Sequence, residues 1–388
     1  MKLPLFPWLK DGRVTGDTLT GDLSAAIVVT LMLIPQSLAY ALLAGMPAHV
    51  GLYASVLPLI GYALLGRSPA LAVGPVAIAS VMTFDALLPF FTPGSPEWVA
   101  GGMFLALASG LILLVFGFLR FGFIAALLSH PVMSGFVSGA AILIILGQIK
   151  TLTGIQVSGG TAMQQLQQLV SNLDRMNMVT VIVGVSTFIL LLLSRRFAGK
   201  LFKASGVRGL LLEILTKASP LLMIVIVTLV LVASGFDGQT ATVGNVPTGL
   251  PLLALPEMSS AYSGLVISAL LIGVVGFIES VSMARAIGRI RNVPTDADAE
   301  LRGLGAANLL SGLSGAFPVT GGLSRSVVNL DAGARTPLAG VFSAIFMVVV
   351  LLGAGQYLAA LPLASLAALI IVAIWALFDW HTLRECIR

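Results

Sequence analysis

Two charges sit in stretches of this chain that are otherwise apolar. Arg325 lies in Gly-Ala-Phe-Pro-Val-Thr-Gly-Gly-Leu-Ser-Arg-Ser-Val-Val-Asn, residues 315–329, and Glu279 lies inside Gly-Phe-Ile-Glu-Ser-Val. An arginine at a bilayer midplane costs about 2.5–3.5 kcal/mol on insertion scales, so it faces a cavity or a partner. Pro318, Gly321 and Gly322 interrupt the segment before Arg325, and only a short helix can follow, within Leu323 to Ala334. A broken helix with a cation at its start is the arrangement of an ion-binding site in a secondary transporter. Arg325 can be an anion ligand, or it can be one half of a fixed salt bridge to Glu279. Glu279 can be that counter-ion, or it can exchange a proton. In the second case protonation lifts the local charge from roughly +1 to +2 and couples a proton to anion binding.

A second set of residues mirrors the first. Gln36-Ser37-Leu38-Ala39-Tyr40-Ala41 lines up with Glu279-Ser280-Val281-Ser282-Met283-Ala284, and Gly74-Pro75-Val76-Ala77-Ile78-Ala79 lines up with Gly321-Gly322-Leu323-Ser324-Arg325-Ser326. The order is the same in both halves: a polar position in a long span, one more span, then a Gly-led short helix. The first copy leaves the cytoplasm and the second enters it, so the repeat is inverted. Such a repeat brings two helix N-termini toward each other, each with free N–H groups and about half a positive charge. With Arg325 added, the pair forms an anion site of roughly +2. Ser324, Ser326 and the backbone near Val76 and Ala77 are the expected hydrogen-bonding groups. Gln36 and Tyr40, one helical turn apart, wall the site together with Glu279 and Ser280.

The elements that must hold these residues are membrane helices. Of 388 residues, 57% are hydrophobic and 10% charged, against about 25% charged in soluble domains; mean hydropathy is +1.04. Twelve apolar runs are expected to cross, at 20–44, 48–66, 75–90, 98–119, 123–149, 177–194, 218–235, 262–284, 297–314, 318–334, 337–354 and 357–378. On that layout, eighteen of the 21 Lys and Arg fall on one side, only Lys150 and Arg175 on the other, and Arg325 inside the membrane. The asymmetry makes the crowded side cytoplasmic and puts both ends there, as in a multi-pass protein of the inner (plasma) membrane. It also accounts for the basic pI of 9.6 without nucleic acid. Residues 236–261, rich in Pro and Gly, read as an extended extracellular connector.

Several chemistries find no support. One cysteine, Cys386, allows neither an intrachain disulfide nor a thiolate metal cluster. His49 and His130 lack ligand partners at suitable spacing, and His381 lies in an interfacial tail, Phe-Asp-Trp-His-Thr-Leu-Arg, so no metal and no cofactor is expected. Asp85 reads as a solvated charge near the outer rim. No nucleotide-binding motif is present, which argues against ATP-driven pumping. Gly312-Leu313-Ser314-Gly315 resembles the nucleophile motif of rhomboid intramembrane proteases, but the one later histidine is His381, in a charged tail. The chain is therefore read as a non-enzyme.

These passages, taken as a set, resemble the sulfate permease (SulP) family of anion transporters. The likeness rests on Ile34-Pro35-Gln36-Ser37-Leu38-Ala39-Tyr40-Ala41, His49-Val50-Gly51-Leu52-Tyr53-Ala54-Ser55, Gly74-Pro75-Val76-Ala77, Val246-Pro247-Thr248-Gly249-Leu250-Pro251, Phe277-Ile278-Glu279-Ser280 and Leu323-Ser324-Arg325-Ser326. The resemblance implies an all-α, seven-plus-seven inverted-repeat fold of the UraA-like kind. A core domain would comprise 20–122 and 262–354, a gate domain 123–235 and 355–388, with residues 1–19 as a cytoplasmic N-terminus. It implies an anion between the starts of spans three and ten, at Val76, Ala77, Ser324 and Arg325, with Gln36, Tyr40 and Glu279 beside it. Family substrates include sulfate, bicarbonate and C4-dicarboxylates, and bacterial members are usually proton or sodium symporters. The expected function is secondary active anion transport by alternating access, with an elevator-like movement of the core; a passive channel of the same fold is the alternative. Relative to the family pattern, two further spans and a STAS domain are expected beyond Arg388, and a homodimer would lean on that region.

Overall fold

The computed structural model describes residues 5–9, 15–126, 130–155, 162–247, 249–251, 253–257 and 259–375. In chain order the helices are α1 (Gly16–Leu43), α2 (Ala48–Tyr53), α3 (Leu57–Leu65), α4 (Ala77–Leu87), α5 (Pro96–Phe118), α6 (His130–Thr153), α7 (Ala162–Ser171), α8 (Met178–Ala204), α9 (Gly209–Ala233), α10 (Tyr262–Arg291), α11 (Ala297–Leu313), α12 (Leu323–Asp331), α13 (Leu338–Gly353), α14 (Gly355–Leu358) and α15 (Leu363–Trp375). Two-residue strands, β1 (Val73–Gly74) and β2 (Thr320–Gly321), precede α4 and α12.

Each of the twelve apolar runs holds a helix. Six are long and apolar enough to cross a membrane by themselves: Gly16–Leu43, Ala48–Leu65 taken as one, Pro96–Phe118, Met178–Ala204, Gly209–Ala233 and Tyr262–Arg291. Their starts carry side-chain caps where the sequence offers them. Thr15 forms a capping box with Thr18, Ser95 accepts from Trp98 N–H, Asn177 from Thr180 N–H, and Asp296 from the N–H groups of Asp298 and Ala299. Each satisfies donors that the first turn leaves free.

Three features depart from the expected layout. The second run is not one helix but α2 and α3, parted at Ala54–Val56, with Pro58 in the first turn of α3. A ten-residue amphipathic helix, α7, stands between the fifth and sixth runs. The third run follows β1 and the tenth contains β2, so their helices start later than the apolar pattern, at Ala77 and Leu323.

The chain divides into two compact units. The first, Met1–Leu128 with Thr248–Gly353, gathers α1–α5 and α10–α13. Here α11 packs along α3 and α5, and α1 packs against α2, α12 and α13. Trp98, fully buried, donates its indole N–H to Ala44 O (2.9 Å) and pins the end of α1 to the start of α5. Asp22 accepts the backbone N–H groups of Arg335 (2.6 Å) and Thr336 (3.0 Å), tying α1 to the entry of α13.

The second unit, Ser129–Pro247 with Ala354–Arg388, gathers α6–α9, α14 and α15. Its apolar centre includes Val183, Val227, Leu231 and Ala364. Thr187 and Ser365 share a hydrogen bond of 2.9 Å between α8 and α15. The connector opens with a 3-10 turn at Asp237–Gln239 and is extended over 241–247. It runs beside residues 359–363, with Val243 N–H donating to Leu361 O and Leu363 N–H to Ala241 O.

Candidate functional site

The site is built on the pairing of β1 with β2. The two strands are antiparallel, Val73 opposite Gly321 and Gly74 opposite Thr320. Exchanging 73 with 320 and 74 with 321 maps each pair onto the other, which is the register a two-fold repeat requires. The chain then turns into α4 on one side and α12 on the other. The N-cap residues are Val76 and Gly322, both extended, and neither helix start has a side-chain cap. Both N-termini therefore keep backbone donors and partial positive charge in the interior.

The rest of the first unit fixes this crossing. Ser280 on α10 accepts the Gly321 N–H (2.8 Å) and has one hydroxyl proton for either Gly276 O or the Thr320 hydroxyl, each 2.7 Å away. Thr320 in turn donates to Gly276 O at 2.6 Å. Gly322 N–H donates to Ala72 O, Ser326 accepts the Ala72 N–H, and Asn329 donates to Ala70 O, each at 3.0 Å. At the far end of α12, Arg291 donates to Ala334 O (3.1 Å), a cation where the helix dipole is negative.

Arg325 projects from the first turn of α12 and folds back over its own helix start. It is 1% exposed. Its guanidinium is seated between two glycines: a Cβ at Gly322 would lie 2.9 Å from Nη2, and one at Gly74 would lie 3.2 Å from Nη1. Gly74 has φ +154, so both space and backbone favour glycine there. Nε, Nη1 and Nη2 are all sealed from solvent and have no hydrogen-bond partner. Glu279 on α10 is half-buried, and its Oε2 is likewise sealed and unpartnered. The two therefore act on each other through space, without a shared hydrogen bond, and Tyr40 is a third electrostatic neighbour of Arg325. A fixed, hydrogen-bonded Arg325–Glu279 bridge is not formed.

The remaining residues singled out from the sequence fall as follows. Val76 and Ala77 are buried at the start of α4. Gln36 and Tyr40 are buried on α1, 7% and 8% exposed. Ser324 is exposed, whereas Ser326 is buried and holds the Ala72 N–H. Asp85 is exposed. Ser314 donates to Ser311 O (2.8 Å), while His381 lies outside the described residues. Among the described residues, no group of three or more His, Cys, Asp and Glu side chains could hold a metal. The glycine seat and the Thr320 hydroxyl were not singled out. The Gly-led alignment of the two short helices already marked their positions.

Two uncapped helix starts thus meet beside a buried guanidinium without a hydrogen-bond partner, and comparison with known proteins places the fold. The model of the Sulfate permease family matches residues 19–388, and the chain belongs to that family. It is 34% identical over 372 residues to a protein of Mycobacterium tuberculosis named "Probable sulfate transporter", covering 95% of this chain and 64% of that relative's length. The fold is similar to the transmembrane domain of the cyanobacterial bicarbonate transporter BicA (TM-score 0.82, 24% identity, 95% of this chain and 91% of that one). It is also similar to SLC26A9 (TM-score 0.86, 22% identity, 96% and 59%). These neighbours carry the UraA-like inverted-repeat fold.

Proposed function

We propose that this chain is the membrane part of a secondary active transporter of small anions, with one anion bound between the starts of α4 and α12. The observation that carries the reading is the Arg325 guanidinium, buried and without a hydrogen-bond partner. A buried charge without hydrogen-bond partners is costly, and a bound anion would supply them. The anion would meet the guanidinium, the free N–H groups at Ala77 and Ser324, and the Ser324 hydroxyl. Gln36 and Tyr40 would wall the site, while Ser280 and Ser326 hold its frame. Sulfate and bicarbonate are the first substrates to test, since similar proteins carry those names; C4-dicarboxylates such as fumarate follow.

Glu279 is the proposed coupling group, with a proton or a sodium ion as the co-transported species. Neutralising it raises the positive charge around Arg325 and favours anion entry. The first unit would serve as the transport core and the second as the gate, working by alternating access in a plasma membrane with cytoplasmic termini. A homodimer is compatible with this reading.

The test is uptake of labelled sulfate, bicarbonate and fumarate into proteoliposomes, with pH and sodium gradients imposed separately. We expect uptake of at least one anion, driven by one gradient, and loss of that drive in Glu279→Gln. Unitary currents independent of either gradient would replace the transporter with a channel.

A further inference from the structure

Glu300, a buried carboxylate, takes no part in the site described above. It sits in the first turn of α11 and is 1% exposed. Three donors converge on it. Tyr62, on α3, donates its hydroxyl to Oε2 at 2.7 Å. Ser68 N–H donates to Oε1 at 3.0 Å, and the Arg67 N–H is a further backbone donor. A carboxylate is acceptor-only, with about four lone-pair directions, and all three of these contacts are donors.

What Glu300 holds is the strap of residues 66–74, between α3 and α4. Its near end is fixed by Glu300 through Arg67 and Ser68. Its far end is fixed by α12, through Asn329 on Ala70 and through Ser326 and Gly322 on Ala72. Beyond Ala72 the strap becomes β1, and Gly74 forms one face of the seat for the Arg325 guanidinium.

The equivalent loop before β2 is secured differently. There Asn308 bonds Val319 in both directions (2.8 and 2.9 Å) and Ser311 donates to Phe317 O (2.6 Å), all from α11, within the same half. Glu300, Ser326 and Asn329 belong to the opposite half from the strap they hold. The seat of Arg325 is thus assembled across the repeat, and Glu300 is the charged tether.

We propose that Glu300 is a positioning residue for anion binding. By fixing Arg67 and Ser68 it sets the strap that places Gly74 against Arg325, so its loss weakens anion affinity more than it slows turnover. The proposal rests on the reading of Arg325 as the anion ligand. A preorganised seat costs less to order when the anion binds. In Glu300→Gln the side chain keeps its shape, but an NH2 donor replaces one acceptor and faces a donor.

The test is concentration-dependent uptake of labelled sulfate and bicarbonate by the wild-type chain, Glu300→Gln, Glu300→Ala and Tyr62→Phe in proteoliposomes. Folded protein is quantified for each by size-exclusion chromatography. We expect KM to rise about tenfold in Glu300→Gln and a few-fold in Tyr62→Phe, with kcat per folded molecule changed less than threefold. Glu300→Ala should be at least as impaired as Glu300→Gln. If Glu300→Ala does not fold, the two conservative variants decide. An unchanged KM, with only the yield of folded protein or kcat reduced, overturns the proposal and leaves Glu300 a structural strut. Absence of uptake by the wild-type chain instead removes the reading on which the proposal stands.

Discussion

The starts of α4 and α12 leave one antiparallel pair in opposite senses, each from an extended N-cap residue with no capping side chain. Counted from the strands, α4 starts one residue later than α12, so the two halves match in topology but not residue for residue, and their side chains differ as well. The position matching Arg325 in the first half is Ile78, buried at 4% exposure among the apolar Val76, Ala77 and Ala79. One helix start offers only its N–H groups and its share of dipole, about half a charge. The other adds a full cation and lays it back between Gly74 and Gly322. A two-fold frame has been used to build a site that is asymmetric in charge. The division makes sense physically: two arginines would repel each other in a dry interior, whereas one arginine and one uncapped helix end suit the single anion proposed above.

The comparison can be broken most severely by moving the charge. Ile78→Arg combined with Arg325→Ile keeps the net charge and the backbone frame. In the first half Pro75 stands where the repeat has Gly322, so a guanidinium at 78 lacks that glycine and uptake should stay at least a hundredfold below wild type. Recovery to within tenfold would show that the two helix starts are interchangeable. A milder break fills the seat. In Gly322→Ala the new methyl would stand 2.9 Å from Nη2 and 3.0 Å from Nε, so the guanidinium must shift. Affinity for the transported anion should fall about tenfold, equivalent to about 1.4 kcal/mol. The smallest effect belongs to Ser324→Ala, which removes an exposed hydroxyl but leaves the backbone donor. A neutral hydrogen bond is worth about 0.5–1.5 kcal/mol, so KM should rise only a few-fold, as read by concentration-dependent uptake.

Much of this was legible in the sequence because lipid makes polar residues conspicuous. Arg325 and Glu279 stand out as charges within apolar runs, and the Gly-Pro and Gly-Gly breaks mark the helix starts. The offset between Gly74 and Gly321 carries over to the strand register. The strands themselves were not legible, since two residues are too few to show an alternating pattern. The seat of Arg325 was hidden for another reason. With 42 glycines in the chain, composition cannot mark out Gly74 or Gly322. Glu300 looked like an ordinary acid in a first helical turn, and Tyr62 lies 238 residues away from it. Such pairings depend on the tertiary crossing of α3 and α11, which periodicity along the chain does not report. Helix α7 escaped because its residues, Ala-Met-Gln-Gln-Leu-Gln-Gln-Leu-Val-Ser, are amphipathic, and a search for apolar runs passes over it.

The central claim is that Arg325 is held for an anion and not for a protein partner. The most direct test is equilibrium titration of the purified protein with sulfate and with bicarbonate, for the wild-type chain and for Arg325→Ala, with thermal unfolding of each in the absence of anion. The account predicts binding to the wild-type chain that is lost in the variant. It also predicts an anion-free Tm for the variant equal to or above that of wild type, since a buried guanidinium without a hydrogen-bond partner has been removed. Retained anion binding in Arg325→Ala, or a collapse of its Tm, would contradict the account and return Arg325 to a structural role.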